Sequence, residues 1–218
     1  MIKIFIIGAS SNLAREFIMN NKLKNISIFG SYNKNNITKI LKKKQFTDKN
    51  KRNFFKINLN RDMDLKKISN FLIKYEPDVI INFSSIITKR NKLKNVKYKD
   101  LIKVFSLNFF SHFKLYSKIC VKLDKLRRKT LIINISSKVI LGGGYKIYEY
   151  STSKAATANL LKCLHREFRY LRFVNFVIPT VKREIKNKAI SYKKYIDNLN
   201  LVITKNKKIQ NFQTVIIK

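Results

Sequence analysis

The segment Tyr150-Ser151-Thr152-Ser153-Lys154 sets a phenol and an ammonium four positions apart. On a helix that spacing puts both groups on one face. A cation beside a tyrosine favours phenolate, so the pair predicts a phenol drawn from its ordinary pKa of about 10 toward the range of a working general acid. In a chain this rich in lysine the pair alone would arise by chance, and its surroundings are what make it specific. Ser136 and Ser137 close an apolar run, Ser137 lies thirteen positions before Tyr150, and Gly142-Gly143-Gly144 stands between them. Three of the five glycines sit in that loop, which predicts a sharp bend near a ligand. Ala155, Ala156 and Ala158 follow Lys154 and suit close helix packing.

A second constellation follows the first apolar run, in Gly8-Ala9-Ser10-Ser11-Asn12-Leu13-Ala14. A dinucleotide site needs a tight turn here, a close approach of backbone to pyrophosphate, and helix amides aimed at the phosphates. Gly8 supplies the turn, Ser10 and Ser11 offer hydroxyl donors, and Ala14 lets the helix lie near the sheet. Asn12 stands where a glycine would allow close approach, and Asn tolerates left-handed backbone better than most residues. The second apolar run ends in Gly30-Ser31-Tyr32-Asn33-Lys34, where an acidic residue would hold the ribose hydroxyls of NAD. None is present, and Ser31, Asn33 and Lys34 could instead bind a 2′-phosphate, which favours NADP(H) over NAD(H). The fourth run ends in Asn82-Phe83-Ser84-Ser85, and a buried Asn82 there would tie the central strands together.

The elements that position these residues alternate along the chain. Strands are expected at 2–7, 25–30, 54–59, 79–83, 130–136, 173–178 and 214–217. Helices are expected at 12–21, 62–75, 101–123 and 149–171, with a short one possible after the second strand. Strands alternating with helices imply an α/β fold: one Rossmann-type, doubly wound domain over residues 1–218, its mostly parallel sheet of six or seven strands flanked by helices. Ligands then bind beyond the carboxyl ends of the strands, where every residue named above falls.

Hydrophobic residues make up 45% of the 218, enough for a sizeable core. The two cysteines, Cys120 and Cys163, read as small core hydrophobes and offer no disulfide framework. His112 and His165 read as ordinary surface or core residues, with no second ligand at metal spacing. The stripe Phe105, Phe109, Phe113 and Tyr116 reads as core or subunit interface. No stretch reaches the roughly 18 apolar residues of a membrane span, and the short first run is too short for a signal peptide. The expectation is a soluble, cytoplasmic protein. The net charge of +36 would ordinarily point to a polyanionic partner. Lysine is spread through nearly every segment with Asn and Ile, however, as an A/T-biased genome would produce. Runs such as Lys42-Lys43-Lys44, Lys49-Asn50-Lys51-Arg52 and Arg127-Arg128-Lys129 read as solvated loops and helix ends, so no specific nucleic-acid partner is expected.

Together, the glycine-led turn, Asn82-Phe83-Ser84-Ser85, Asn108, Asn134-Ile135-Ser136-Ser137, Tyr150 to Lys154, and Pro179-Thr180 resemble the short-chain dehydrogenase/reductase family in order and spacing, over residues 1 to about 180. The resemblance implies hydride transfer between a nicotinamide and a carbonyl or secondary alcohol, in a sugar or lipid intermediate for example. It implies that Tyr150 gives the carbonyl its proton and Ser137 bonds the same oxygen. Lys154 would bind the nicotinamide ribose and lower the tyrosine pKa, and Asn108 would hold a water relaying protons to Lys154. It further implies cofactor contacts from Gly8, Ser10, Ser11, Asn12, Leu13, Ser31, Lys34, Asn58, Leu59, Phe83, Ser84, Tyr150, Lys154 and Pro179, and a homodimer or homotetramer. The chain departs from the family at Asn12, at Asn58 (usually Asp), at Phe83 to Ser85 (usually Asn-Ala-Gly) and at Thr180 (usually Gly). Residues 181–218, where substrate identity would lie, have no residue-by-residue match. Two other readings compete: a decayed nucleotide- or polyanion-binding relative without turnover, and a nucleotide-sugar epimerase or dehydratase.

Overall fold

The computed structural model describes residues 1–34, 37, 54–179, 191–205 and 212–217. The short helix expected after the second strand, Thr180 and the two lysine runs at 42–44 and 49–52 lie outside them. The first strand, β1 (Ile2–Ile7), is followed by α1 (Asn12–Asn20), β2 (Ile26–Tyr32), β3 (Phe54–Lys56), α2 (Asp62–Tyr75) and β4 (Val79–Asn82). Then come α3 (Tyr98–Phe105), a π-helical turn (Ser106–Phe110), α4 (Ser111–Lys125), β5 (Leu131–Ser137), the one-turn α5 (Val139–Gly142) and α6 (Tyr148–Glu167). β6 (Arg172–Ile178), α7 (Tyr192–Thr204) and β7 (Gln213–Ile216) complete the order.

The strands form one seven-stranded sheet in the order β3-β2-β1-β4-β5-β6-β7, every pair parallel. Both faces are covered, which explains why the central strands read as continuous apolar runs rather than alternating ones. Ile4, Ile6, Ile81, Ile133 and Phe176 face α1 and α7, packing on Phe17, Tyr195 and Leu199. Phe5, Ile7, Ile80, Ile132 and Phe173 face α2, α4 and α6, packing on Leu72, Ile119 and Leu161. Burying one Phe or Ile in this way contributes about 1.5–3 kcal/mol.

Local signals fix the ends. The Ser11 side chain caps α1 by accepting from the Ala14 amide at 3.2 Å. Asp62 and Asp64 sit in the first turn of α2, and Glu76, left-handed at φ 50°, ends it before Pro77. Several expectations need correction. β3 ends at Lys56 rather than at 59, and α6 ends at Glu167 rather than at 171. β2 runs two residues past Gly30, because Ser31 and Tyr32 continue pairing with Phe55 and Lys56. α7 was not foreseen. Cys163 is exposed rather than core, because it lies on the solvent face of α6, whereas Cys120 is buried. The aromatic stripe divides likewise, Tyr116 being fully buried and Phe113 51% exposed. Among the described residues no helix is long and apolar enough to cross a membrane.

Level with the last residue of β4, the sheet carries a polar ladder across its central strands. Asn82, Asn134 and Asn175 are cross-strand partners. Asn82 donates to Asn134 Oδ1 at 3.4 Å, and Asn134 donates to Asn175 Oδ1 at 3.1 Å. All three are 1% exposed, so each bond satisfies a group that would otherwise be orphaned in the core. The ladder ties the end of β4 to the middles of β5 and β6.

Candidate functional site

β5 delivers Ser137 at its last residue, and the first turns of α6 deliver Tyr150 and Lys154 beside it. The Ser137 hydroxyl neighbours the Tyr150 phenol closely enough to pull its pKa down. Lys154, only 4% exposed, donates from Nζ to the Ile135 carbonyl at 2.9 Å, and its Nζ lies 5.8 Å from the centre of the Tyr150 ring. Burial pushes the Lys154 ammonium down to about 8. The phenol departs from the expectation drawn from Tyr-x-x-x-Lys spacing: burial holds it above its ordinary value, and the neighbouring Ser137 hydroxyl pulls it down less. In this arrangement desolvation of the ring outweighs the serine, and the lysine is committed to a main-chain carbonyl.

Asn108 lies in the π-helical turn, where the hydrogen-bond ladder slips by one residue, a feature frequent at functional sites. Its amide grips the main chain of Ile86 from both ends, accepting from the N–H at 2.8 Å and donating to the C=O at 2.9 Å. It also donates to Ser153 Oγ at 3.1 Å. The Asn108 carbonyl receives Thr157 Oγ1 at 2.8 Å and faces His112 Nδ1 at 2.8 Å. These two contacts engage both lone pairs of that main-chain carbonyl. His112, 1% exposed, was read as an ordinary residue from sequence. Its spacing of four from Asn108 was the signal available. A further tie, Thr88 Oγ1 to the buried carboxylate of Glu149, holds the segment after β4 against α6.

A cleft of about 480 Å³ opens beyond the ends of β1, β2 and β4. Gly8, Ser10, Ser11, Ser31, Lys34, Asn58, Leu59, Phe83 and Ser84 line it, and Tyr32 and Lys103 join them. Asn12 and Leu13 open α1 beside it, and Pro179 is buried just past β6. Gly8 has φ +78°, and a Cβ there would meet Ser84 N at 2.8 Å and Ser84 Cα at 2.9 Å. Only glycine lets this turn lie against the segment after β4. Asn12 needs no such freedom, because it is helical and Oδ1 accepts from Arg15. Ser31 is 2% exposed at the strand end, which leaves Lys34 as the exposed cation there among the described residues. Asn58 turns Oδ1 back to the Asn60 amide at 3.1 Å. Gly8→Ala is expected to cost about 1–3 kcal/mol, read by denaturant unfolding, because both the left-handed backbone and the contact with Ser84 are violated.

The cradle fits a dinucleotide: a glycine turn, the amino end of α1, a cleft of sufficient size, and the Ser137, Tyr150 and Lys154 cluster at the end of β5. Among the described residues no group of His, Cys, Asp and Glu is placed to hold a metal ion.

Comparison with known proteins agrees with this geometry. The family model described as short chain dehydrogenase matches residues 3–189. Among solved structures, a short-chain dehydrogenase/reductase of Saccharomyces cerevisiae superposes with a TM-score of 0.79 at 15% identity, over 98% of this chain and 96% of that one. Serine dehydrogenase of Escherichia coli gives 0.82 at 12% identity, over 99% and 97%. ElxO, solved with NADP bound, gives 0.80 at 16% identity, over 99% and 97%. Among curated protein sequences none matches this chain significantly. A turn that only glycine can make, a parallel sheet crossed between β1 and β4, and a family match over most of the length lead to one conclusion: the chain belongs to the short-chain dehydrogenase/reductase family.

Proposed function

We propose that this protein is an NADP(H)-dependent oxidoreductase that reversibly interconverts a carbonyl compound and the corresponding secondary alcohol. The observation that carries the reading is the gathering of Ser137, Tyr150 and the buried Lys154 at the end of β5, in the same sheet whose β1, β2 and β4 ends carry the Gly8 cleft. A nicotinamide bound in that cleft would supply or accept the hydride. Tyr150 Oη holds the proton that the substrate oxygen receives, and burial keeps it protonated through the neutral range. Ser137 Oγ, beside the phenol, bonds the same oxygen in this reading. Lys154 keeps a positive charge beneath the phenol, where negative charge develops as the proton leaves.

The cleft supports the phosphorylated cofactor. Its described lining carries Lys34 and Lys103 and no carboxylate, so a 2′-phosphate meets attraction and no repulsion. Titrations with NADPH and NADH, followed by the fluorescence of the nucleotides, test this in a chain without tryptophan. NADPH is expected to bind at least tenfold more tightly, as about 1.5–3 kcal/mol for a charge-assisted contact implies. Lys34→Glu is expected to remove that preference while leaving NADH affinity within about twofold. A preference for NADH in the parent protein would overturn the assignment. Exposed Phe110 and Phe113 on the long helix support a dimer or tetramer built through α4 and α6.

A further inference from the structure

His112 and Ser84 form a contact that the chemistry described so far does not use. Ser84 Oγ lies 2.8 Å from His112 Nε2, and the opposite ring nitrogen, Nδ1, lies 2.8 Å from the Asn108 carbonyl. Ser84 is also pinned by Asn82, whose Oδ1 accepts the Ser84 amide at 3.0 Å and lies 2.7 Å from its hydroxyl. This serine lines the cleft and is the residue against which Gly8 packs. At the other end of the network, Asn108 bonds Ser153 and Thr157, both on the helix that carries Tyr150 and Lys154.

We propose that His112 is a positioning residue that fixes the Ser84 hydroxyl at the floor of the cofactor cleft and ties it, through Asn108, to the catalytic helix. The inference rests on the reading of the cleft as a nicotinamide-nucleotide site.

Proton counting sets the direction of each bond. Burial and the nearby Lys154 charge push His112 down to about 3, so the ring is neutral at ordinary pH and carries one proton. The Asn108 carbonyl can only accept, so that proton belongs on Nδ1. Nε2 is then bare and accepts from Ser84, whose single proton is shared with Asn82 Oδ1. The lone pairs of Ser84 Oγ stay available to a donor in the cleft, and a ribose hydroxyl is the donor class that a nucleotide brings there. The opposite tautomer would set Nδ1 against the carbonyl lone pairs and make Ser84 accept from the ring, leaving less acceptor capacity for a ligand. Asn82-Phe83-Ser84-Ser85 and His112 therefore act as one unit, the ring supplying a fixed acceptor for a hydroxyl placed beside Gly8.

Two measurements test this. The chain has two histidines, so nitrogen-15 histidine spectra of the parent protein resolve His112 from His165. The expected result is a neutral Nδ1–H ring from about pH 5 to about pH 9, with an Nε2 resonance that moves when NADPH is added. The second measurement is a double-mutant cycle on NADPH dissociation constants. Ser84→Ala and His112→Asn, the latter keeping a donor near Nδ1 and withdrawing from Ser84, should each weaken binding about fivefold to tenfold, and the double variant no more than the worse single. His112→Gln, which restores a polar group near the Nε2 position, should recover most of the loss. An Nε2–H ring, a His112 resonance indifferent to NADPH that does bind, or additive effects in the cycle would overturn this inference alone. A parent protein that binds neither NADPH nor NADH would overturn the reading of the cleft and this inference with it.

Discussion

Lys154→Met is expected to raise the melting temperature and abolish turnover together. The ammonium is buried, and its pKa of about 8 in the fold compares with an ordinary 10.5. Each unit of difference corresponds to about 1.36 kcal/mol, so carrying the charge costs the folded state on the order of 3 kcal/mol at neutral pH. Methionine keeps the apolar stem and removes the charge, but it leaves the Ile135 carbonyl without its 2.9 Å donor, which returns about 1–2 kcal/mol of that gain. The net expectation is roughly 1–2 kcal/mol of added stability, or about 2–8 °C in Tm for a chain of this size. The sign of the pH dependence follows from the same shift. Because the folded pKa is the lower one, the unfolded chain binds more protons between about pH 8 and about pH 10.5, and the stability of the parent protein rises across that window. The advantage of the variant should shrink over the same window. Turnover falls because no cation remains beneath the phenol as the proton leaves. A variant less stable than the parent at pH 7 would mean that the ammonium is better compensated than the Ile135 bond alone allows.

Tyr150→Phe has the largest expected effect on rate alone. The ring keeps its packing and only the hydroxyl is lost, so stability should change by less than about 1.5 kcal/mol. Loss of a positioned general acid lowers kcat by about 10²- to 10⁴-fold. NADPH affinity should stay near that of the parent, because the cleft lining does not include the Tyr150 hydroxyl. Loss of nucleotide binding along with turnover would place Tyr150 in the cradle instead of at the reacting oxygen.

How much of this could be read from the residues depends on how local each signal is. The central strands were legible because sheet burial on both faces leaves near-continuous runs such as Ile2 to Ile7 and Leu131 to Ile135. Asn82 was legible as a strand tie, and the ladder extends it to Asn134 and Asn175. Helix α7 went unseen although Tyr195, Ile196, Leu199, Val202 and Ile203 recur at helical spacing, because intervening basic and polar residues dilute the pattern and no family motif anchors that region. The π-helical turn at Asn108 has no compositional signature, since a one-residue slip in hydrogen bonding alters no residue type. His112 was missed because its partner Ser84 lies 28 positions away and only the fold brings the two together. The direction of the Tyr150 shift was misjudged for a related reason. Spacing shows that a lysine is near, and only the fold shows how dry the phenol is and that the ammonium is bonded elsewhere.

The central claim is that the Ser137, Tyr150 and Lys154 cluster performs carbonyl chemistry with a reduced nicotinamide. Carbonyl-dependent oxidation of NADPH by the parent protein, measured across a panel of ketones and aldehydes including sugar and acyl compounds, tests it most directly. The account predicts saturable consumption of NADPH that requires the carbonyl and falls by at least about 10² in Tyr150→Phe. Saturable NADPH binding with no consumption on any member of the panel, or consumption undiminished in Tyr150→Phe, would contradict it.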